Sequence, residues 1–386
     1  VAWDEGKAEW KTRTSEHFEI HYLSEFDAMA QRSLAIAERV HKDLVPYFKR
    51  APRAKTQMVL IDEFDFSNGW STPLPYNQIR LFVTPPEDVE GLEHMDEWLH
   101  GLIRHEYVHI LQMDYAAGVP GALQKVFGRV NFFFPHMLSP SFLLEGLAVY
   151  LETDYKIGYG RLDSSYYGMQ MRAEIMNNGG DSINQVILPQ RDWPQGKHYL
   201  YGAYFWTYIG ETYGDEKIQQ YIAAYSRQIL PFFMHNAVSR RVFGKSFAGI
   251  WDDFLVWNNK KFEQQIAQLQ QNYRGGNPLA SLPNTQQVTA TSGQSLWQVE
   301  ANGEDRPHFV RWLKNESQQQ NTQWQKELFE QNESVLDMDI AADGTFAITR
   351  LIPRASGRAV ADLYLWSEQN GWTDLTNKMR FTKVRW

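Results

Sequence analysis

The segment His-Glu-Tyr-Val-His at residues 105–109 constrains this chain more than any other, because it requires a helix around it. Positions i and i+4 of an α-helix lie one turn apart on the same face, so both imidazoles can reach one ion. The flanking residues 98–103 and 110–112 are mostly apolar and contain no proline, which predicts a buried helix over Trp98–Met113. Glu106 follows the first histidine directly, where a carboxylate can accept a proton from water.

Glu145 interrupts the apolar run FLLEGLAVY at residues 142–150. A buried carboxylate is costly unless it is paired or binds a metal. Two histidines and one glutamate leave a fourth position for water, the open arrangement that a catalytic zinc needs. The chain has no cysteine, so a metal must be held by His and carboxylate side chains. We therefore predict one Zn2+ per chain, bound by His105, His109 and Glu145, with Glu106 as the catalytic base.

A metal-bound histidine usually donates its second ring nitrogen to an acceptor. Asp114 and Glu152 are both suitable acceptors, and the sequence does not choose between them. His136, in the segment before Glu145, could also approach the metal.

The segments HEYVH and LLEGLAVY resemble the His-Glu-x-x-His and Leu-x-Glu-Gly-x-Ala-x-Tyr motifs of the gluzincin zinc metallopeptidases, which include thermolysin and the aminopeptidase N family. Residues 199–203 (YLYGA) are similar to the Tyr-x-x-Gly-Ala segment of aminopeptidase N relatives. The resemblance covers roughly residues 16–270, in motifs rather than in continuous similarity. It implies that Tyr199 stabilises the oxyanion of the reaction, with Tyr201 and His198 as alternatives.

Two features differ from the aminopeptidase N pattern. The spacing between His109 and Glu145 is longer, which predicts an inserted loop, and the Gly-x-Met-Glu-Asn segment that binds a free N-terminus is absent near residues 76–83. We predict a zinc peptidase that hydrolyses extended peptide or protein substrates internally, with the substrate added as a strand along Gln78–Thr84. Two alternatives remain: a scaffold protein with an inactive metal site, whose β region binds a protein partner, and a zinc hydrolase of non-peptide bonds.

Hydrophobic periodicity predicts an α+β chain with a catalytic domain at residues 1–275 and a β region at 284–386. Within the catalytic domain, we predict a small α/β lobe at residues 1–90 and a mainly helical lobe with the zinc site at residues 91–275. The resemblance implies that this arrangement is thermolysin/aminopeptidase-like.

Residues 68–75 contain Gly and Pro and predict a loop before an edge strand at Gln78–Thr84, and residues 230–242 predict a helix. The Gly- and Pro-rich residues 273–283 mark the boundary. Turn residues such as Asp343-Gly344 separate the short strands predicted in the β region. The short strands that follow are similar to TolB-like β-propeller blades. About 100 residues cannot close a propeller, so they predict an incomplete propeller or a small β-sandwich.

Charge and hydropathy exclude some partners. A net charge of −8 and a pI near 5.8 argue against a nucleic-acid binder, which usually carries a basic face. No apolar run is long enough to span a bilayer. The chain begins with Val1 rather than Met, from which we expect that a preceding segment such as a signal peptide was removed and that the protein is exported, to the periplasm or out of the cell.

Overall fold

The computed structural model of the chain describes residues 9–86, 97–156, 158–188, 193–194, 196–275, 289–292, 295–300, 308–315, 323–331, 334–354, 357–377 and 379–386. The helices are α1 (Asp27–Phe48), α2 (Trp98–Met113), α3 (Gly118–Phe127), α4 (Ser141–Glu152), α5 (Ser165–Asn178), α6 (Ile183–Ile187), α7 (Lys197–Tyr213), α8 (Asp215–Tyr225), α9 (His235–Phe243) and α10 (Phe247–Gln271). The strands are β1 (Trp10–Thr14), β2 (Phe18–Leu23), β3 (Thr56–Ile61), β4 (Gly69–Thr72), β5 (Gln78–Phe82), β6 (Thr289–Ser292), β7 (Ser295–Glu300), β8 (His308–Asn315), β9 (Gln323–Gln331), β10 (Val335–Ile340), β11 (Phe346–Pro353), β12 (Ala359–Ser367) and β13 (Gly371–Asp374).

The first five strands form one mixed sheet in the order β1-β2-β3-β5-β4. Strands β2, β3 and β5 are parallel, and β1 and β4 are antiparallel to their neighbours. Every second residue of β2 and β3 is buried, as expected for a sheet that is covered on one face. Helices α1 and α2 pack in the same apolar core as this sheet. The predicted α/β opening of the chain is therefore confirmed, although β1 was not predicted.

The edge of this sheet is not the strand that the sequence predicted. Residues 68–75 were expected to form a loop, but Gly69–Thr72 pair with β5 and make β4 the outer strand, so the expectation that Gln78–Thr84 form the edge was wrong. The turn-like composition has a packing cause. A Cβ atom on Gly69 would lie 3.0 Å from Leu102 Cδ1 and 3.1 Å from the carbonyl oxygen of Arg80. A side chain at this position would be crowded, because β4 packs closely on α2.

From α2 to α10 the chain is mainly helical, as predicted, and its large buried side chains form one core with the first sheet. Helix α2 has the predicted bounds. The predicted helix over residues 230–242 is instead a short 3-10 turn, Pro231–Phe233, followed by α9. Among the described residues, no helix is long and apolar enough to cross a membrane.

The β region contains two four-stranded antiparallel sheets, β6-β7-β8-β9 and β10-β11-β12-β13, each with its strands in chain order. They share a small apolar core that includes Trp297, Phe346 and Trp366. The sequence did not predict β9 or β13. The described strands form no closed ring, so the incomplete propeller and the small sandwich both remain predictions.

Polar contacts connect the β region to the first lobe. Arg380 pairs with Asp62 and Asp65, and the backbone N–H of Ala361 donates to Asp65 at 2.7 Å. Of the predicted boundary at residues 273–283, residues 276–283 lie outside the described residues, and so does the predicted division at residue 90.

Candidate metal centre

Three helices bring the predicted site residues together. Helix α2 carries His105, Glu106 and His109, and all three are buried. Helix α4 carries Glu145, which is partly exposed, and α7 carries Tyr199. All five side chains line one cleft of about 380 Å³, whose other lining residues are Asn68, Gly69, Trp70 and Ser71 beside α2, Leu102, Met113, Leu144 and Arg161.

Helices α4 and α7 cross in backbone contact at two glycines. A Cβ atom on Gly146 would lie 2.2 Å from the carbonyl carbon of Gly202, and one on Gly202 would lie 2.2 Å from the carbonyl oxygen of Phe142. No larger residue fits at either position without a backbone shift. Gly146 follows Glu145 directly, and Gly202 lies less than one turn after Tyr199. This crossing therefore fixes the carboxylate and the phenol relative to each other.

The donor atoms of the three predicted ligands form a small triangle. Oε2 of Glu145 lies 3.2 Å from Nε2 of His105 and 3.0 Å from Nε2 of His109, and the two Nε2 atoms are 3.2 Å apart. A tetrahedral zinc ion with bonds of about 2.0–2.1 Å holds its donor atoms roughly 3.3–3.4 Å apart. Two imidazoles and a carboxylate are also ligands that zinc prefers. The residues therefore fit a zinc ion, both in their chemistry and in their spacing.

The remaining ring nitrogen of His105 settles the choice of acceptor. Its Nδ1 lies 2.8 Å from Oε2 of Glu152, whereas the alternative, Asp114, pairs with Arg129 at 2.9 Å. Burial raises the pKa of Glu152, but the charge and hydrogen bonds of Arg161 outweigh it and lower the pKa to about 2. An ionised Glu152 accepts a hydrogen bond from the Nδ1–H of His105. The Nε2 lone pair of His105 is then directed at the position between the three ligands.

Arg161 forms a two-pronged ion pair with Glu152. Its Nε and Nη2 atoms donate to the two carboxylate oxygens at 2.7 and 2.8 Å. Nη2 also lies 2.7 Å from Nδ1 of His105, but a guanidinium can only donate, so this contact is a hydrogen bond only in the other tautomer. In the metal-free site, burial and the Arg161 charge lower the pKa of His105, yet its hydrogen bonds to Glu145 and Glu152 raise it to about 9. A metal that binds at Nε2 would therefore release the proton from this nitrogen.

Two buried atoms of the site have no hydrogen-bond partner among the described residues. They are Oε2 of Glu106 and Nδ1 of His109. Buried polar atoms are rarely left unpaired unless water, an ion or a substrate completes them. Glu106 itself lines the cleft, so its carboxylate group can meet a water or substrate there. Burial acts to raise the pKa of Glu145, but the His109 charge and the hydrogen bonds from both histidines hold it well below its usual range.

The structure separates the three candidates for the oxyanion donor. Tyr199 lines the cleft, and its ring centroid lies 6.2 Å from that of His105. Tyr201 is buried in the core, where its hydroxyl donates to Glu174 and accepts from the backbone of Asp181, both at 2.8 Å. His198 packs against Tyr199 with its ring tilted by 43°, and it is not among the lining residues. Burial, and then the charge of Glu145, raise the pKa of Tyr199, which keeps its hydroxyl protonated.

Sequence reasoning missed Arg161, and it placed His136 incorrectly. Arg161 follows Gly160, whose φ of +99° allows the loop after α4 to fold back onto it; a Cβ on Gly160 would lie 2.4 Å from Cα of Thr153. In the sequence, an arginine directly after a glycine was the only feature that could have indicated this residue. His136 is fully buried, and its Nε2 donates to the carbonyl of Ile222 at 3.0 Å, away from the cleft.

Comparisons with known proteins add little. No model of a known protein family matches the chain. Over 244 residues, 63% of this chain, it is 24% identical to an uncharacterized protein of Treponema pallidum (strain Nichols). The chain spans about a fifth of the length of that relative, since the match covers 21% of it. A crystal structure of an aminopeptidase N family protein from Idiomarina loihiensis aligns with 84% of this chain and 69% of its own, at 10% identity and a TM-score of 0.32, which is too low to indicate a shared fold.

Proposed function

We propose that this chain is a zinc-dependent peptidase that cleaves extended peptides internally. One observation carries the proposal: three donor atoms of His105, His109 and Glu145 lie within 3.2 Å of one another in a cleft that the carboxylate residue Glu106 also lines. This combination of an open three-ligand site and an adjacent base is what metal-assisted hydrolysis requires.

When bound, a zinc ion would polarise the scissile carbonyl and lower the pKa of water toward about 7. Glu106 supplies the proton transfers. Its carboxylate accepts the proton of the attacking water and then delivers the same proton to the leaving amine. Glu106 lies directly after His105 on α2 and lines the cleft, so its side chain is next to the position where such a water would be held.

Tyr199 is the oxyanion donor in this proposal. Its phenol lines the cleft and stays protonated, so it can donate a hydrogen bond to the negative oxygen that develops during attack. Arg161 lies over the Tyr199 ring, with its guanidinium carbon 5.3 Å from the centroid. This cation–π contact and the backbone crossing at Gly146 and Gly202 hold the ring in place before substrate arrives.

The substrate would dock on β4. This strand lines the cleft, and its side away from β5 pairs with no strand among the described residues. An extended peptide can therefore add to the sheet by main-chain hydrogen bonds. Such docking uses the peptide backbone rather than a chain end, which is why we propose internal cleavage.

The test combines metal content with peptidase activity on the wild type, on Glu106→Gln and on Glu263→Gln, an exposed control on α10. The expected result is one zinc per chain in all three, with cleavage of a quenched peptide library lost only in Glu106→Gln. Zinc without cleavage in the wild type would reject the peptidase and leave the scaffold protein or the hydrolase of another bond.

A digest of a denatured protein separates internal from terminal cleavage. We expect internal fragments from the earliest time points, detected by mass spectrometry. Release of single N-terminal residues alone would contradict docking on β4 and indicate an aminopeptidase. Acetylation of the substrate N-terminus gives the matched control, because it does not affect internal cleavage.

A further inference from the structure

Helix α3 exposes its apolar face to solvent. Its buried residues are Pro120, Gly121 and the polar Gln124, which donates to the carbonyl of Phe133 at 2.8 Å. A surface helix usually buries its apolar stripe and exposes its polar one, so the orientation of α3 is inverted. Large exposed apolar patches mark interaction sites. The exposed side chains of this segment are Val119, Val126, Phe127, Val130 and Phe132.

A second exposed apolar segment lies beside the first. In residues 229–233 the side chains of Ile229, Leu230, Phe232 and Phe233 are 57 to 85% exposed. The backbone N–H of Ala117, just before α3, donates to the carbonyl of Ser226 at 3.0 Å. The Tyr225 hydroxyl donates to the carbonyl of Pro231, and its ring packs on His136 in the segment after α3. The exposed apolar side chains of residues 119–132 and 229–233 therefore lie on neighbouring segments, and together they are called here the docking surface.

The charge around the docking surface is the opposite of that of the whole chain. Residues 115–144 and 217–251 contain no Asp or Glu, although the chain has 46 acidic residues and a net charge of −8. Lys125 and Arg227 are exposed within the surface, and neither forms an ion pair with any described carboxylate. Arg240 and Arg241 are exposed on the adjoining helix α9. Exposed basic side chains thus lie within and beside the apolar docking surface, on segments that contain no acidic residue.

We propose that the docking surface binds the surface of a lipid bilayer that contains anionic headgroups. Exposed Phe, Leu and Val side chains with nearby Lys and Arg are the combination that interfacial membrane binding uses. A second copy of the chain is a poorer occupant, because a symmetric contact would bring Lys125 and Arg227 against their own like charges. The contact is peripheral, in agreement with the absence of a membrane-crossing helix among the described residues.

Because the chain has no cysteine, a single label can report on this contact. We would attach an environment-sensitive fluorophore to Phe127→Cys and to Phe233→Cys, with Val256→Cys as the control, since Val256 is 71% exposed on α10. The probe is a vesicle of equal parts phosphatidylcholine and phosphatidylglycerol. The expected result is a blue-shifted emission at positions 127 and 233 and none at 256. Absence of a shift at 127 and 233, or an equal shift at all three, would overturn the proposal.

The charge requirement is tested by vesicle cosedimentation of the full chain. The double variant Lys125→Glu/Arg227→Glu should bind roughly tenfold more weakly or worse, since each basic side chain near the surface contributes several-fold. Vesicles of phosphatidylcholine alone should bind less, and added salt should weaken binding to the mixed vesicles. If binding were unchanged both by the charge reversal and by the lipid charge, the proposal would be overturned.

A dimer that is detected by light scattering and abolished by Phe127→Ser would assign the surface to a second copy instead. Neither readout needs zinc or catalysis, so the result is independent of the proposed peptidase.

Discussion

Replacing Gly146 by alanine tests the helix crossing that holds the candidate metal centre together. The new Cβ would lie 2.2 Å from the carbonyl carbon of Gly202, where ordinary contact begins at 3.4 Å. Helices α4 and α7 must therefore move apart by about 1 Å, and no side-chain rotation can relieve a clash with backbone. Alanine in a helix interior gains about 1 kcal/mol over glycine, but overpacking usually costs about 1–3 kcal/mol even where side chains can adapt. We expect a net loss of about 2 kcal/mol or more.

Gly168→Ala on α5 is the matched control. There the new Cβ would meet only the mobile end of Arg172, at 3.1 Å, so we expect no loss and a gain of up to about 1 kcal/mol. Urea unfolding followed by far-UV circular dichroism measures both variants. Because α4 carries Glu145, Gly146→Ala should also weaken zinc binding in a competition with a fluorescent chelator. If both alanine variants were as stable as the wild type, the close crossing would be refuted.

Three further changes test single side chains of the site and its surroundings. Glu152→Gln should weaken zinc binding about 10- to 100-fold, because it replaces the charged acceptor that orients His105 with a neutral amide, and an unchanged affinity would contradict that role. Burial lowers the pKa of folded His136 to about 4, below the ~6.5 of an unfolded histidine, so stability is complete above ~pH 6.5 and falls by up to about 3 kcal/mol as the pH drops toward 4. Urea unfolding across this range should show a shallower loss in His136→Gln, and equal slopes would exclude the titration. Tyr199→Phe should lower kcat about 100-fold or more at unchanged stability, whereas Tyr201→Phe should cost about 1–3 kcal/mol of stability and spare the chemistry, and identical kinetics would refute the assignment of Tyr199.

Short-range geometry explains what the sequence could predict. The bounds of α2 and the pairing of His105 with His109 depend only on helical spacing and on an uninterrupted apolar face. Glu145 was recognisable because a carboxylate in an otherwise apolar helix needs a compensating partner. The two β sheets were indicated by turn residues such as Asp343-Gly344, although β9 lacks the apolar alternation that marks a strand and was missed.

Other features depend on contacts between segments that are distant in the chain. The sequence of β4 is typical of a loop because it contains a glycine, and only the folded chain shows that this glycine packs closely on α2. The apolar stripe of α3 predicts burial, and only the folded chain shows it on the outside, since burial depends on the neighbours that a helix receives rather than on its own pattern.

The sequence by itself predicted His105, His109 and Glu145 as metal ligands and Glu106 as the base, because helical spacing puts the two histidines on one face and a carboxylate in an apolar helix needs a partner. The tertiary structure decided which partners those residues meet. Tyr199 and Tyr201 are two residues apart on one helix, so their side chains point to nearly opposite faces at about 100° per residue. The α4–α7 crossing at Gly146 and Gly202 determines which face meets the cleft, and it selects Tyr199. The same folding brings Glu152 rather than Asp114 to His105, a choice that no local pattern encodes.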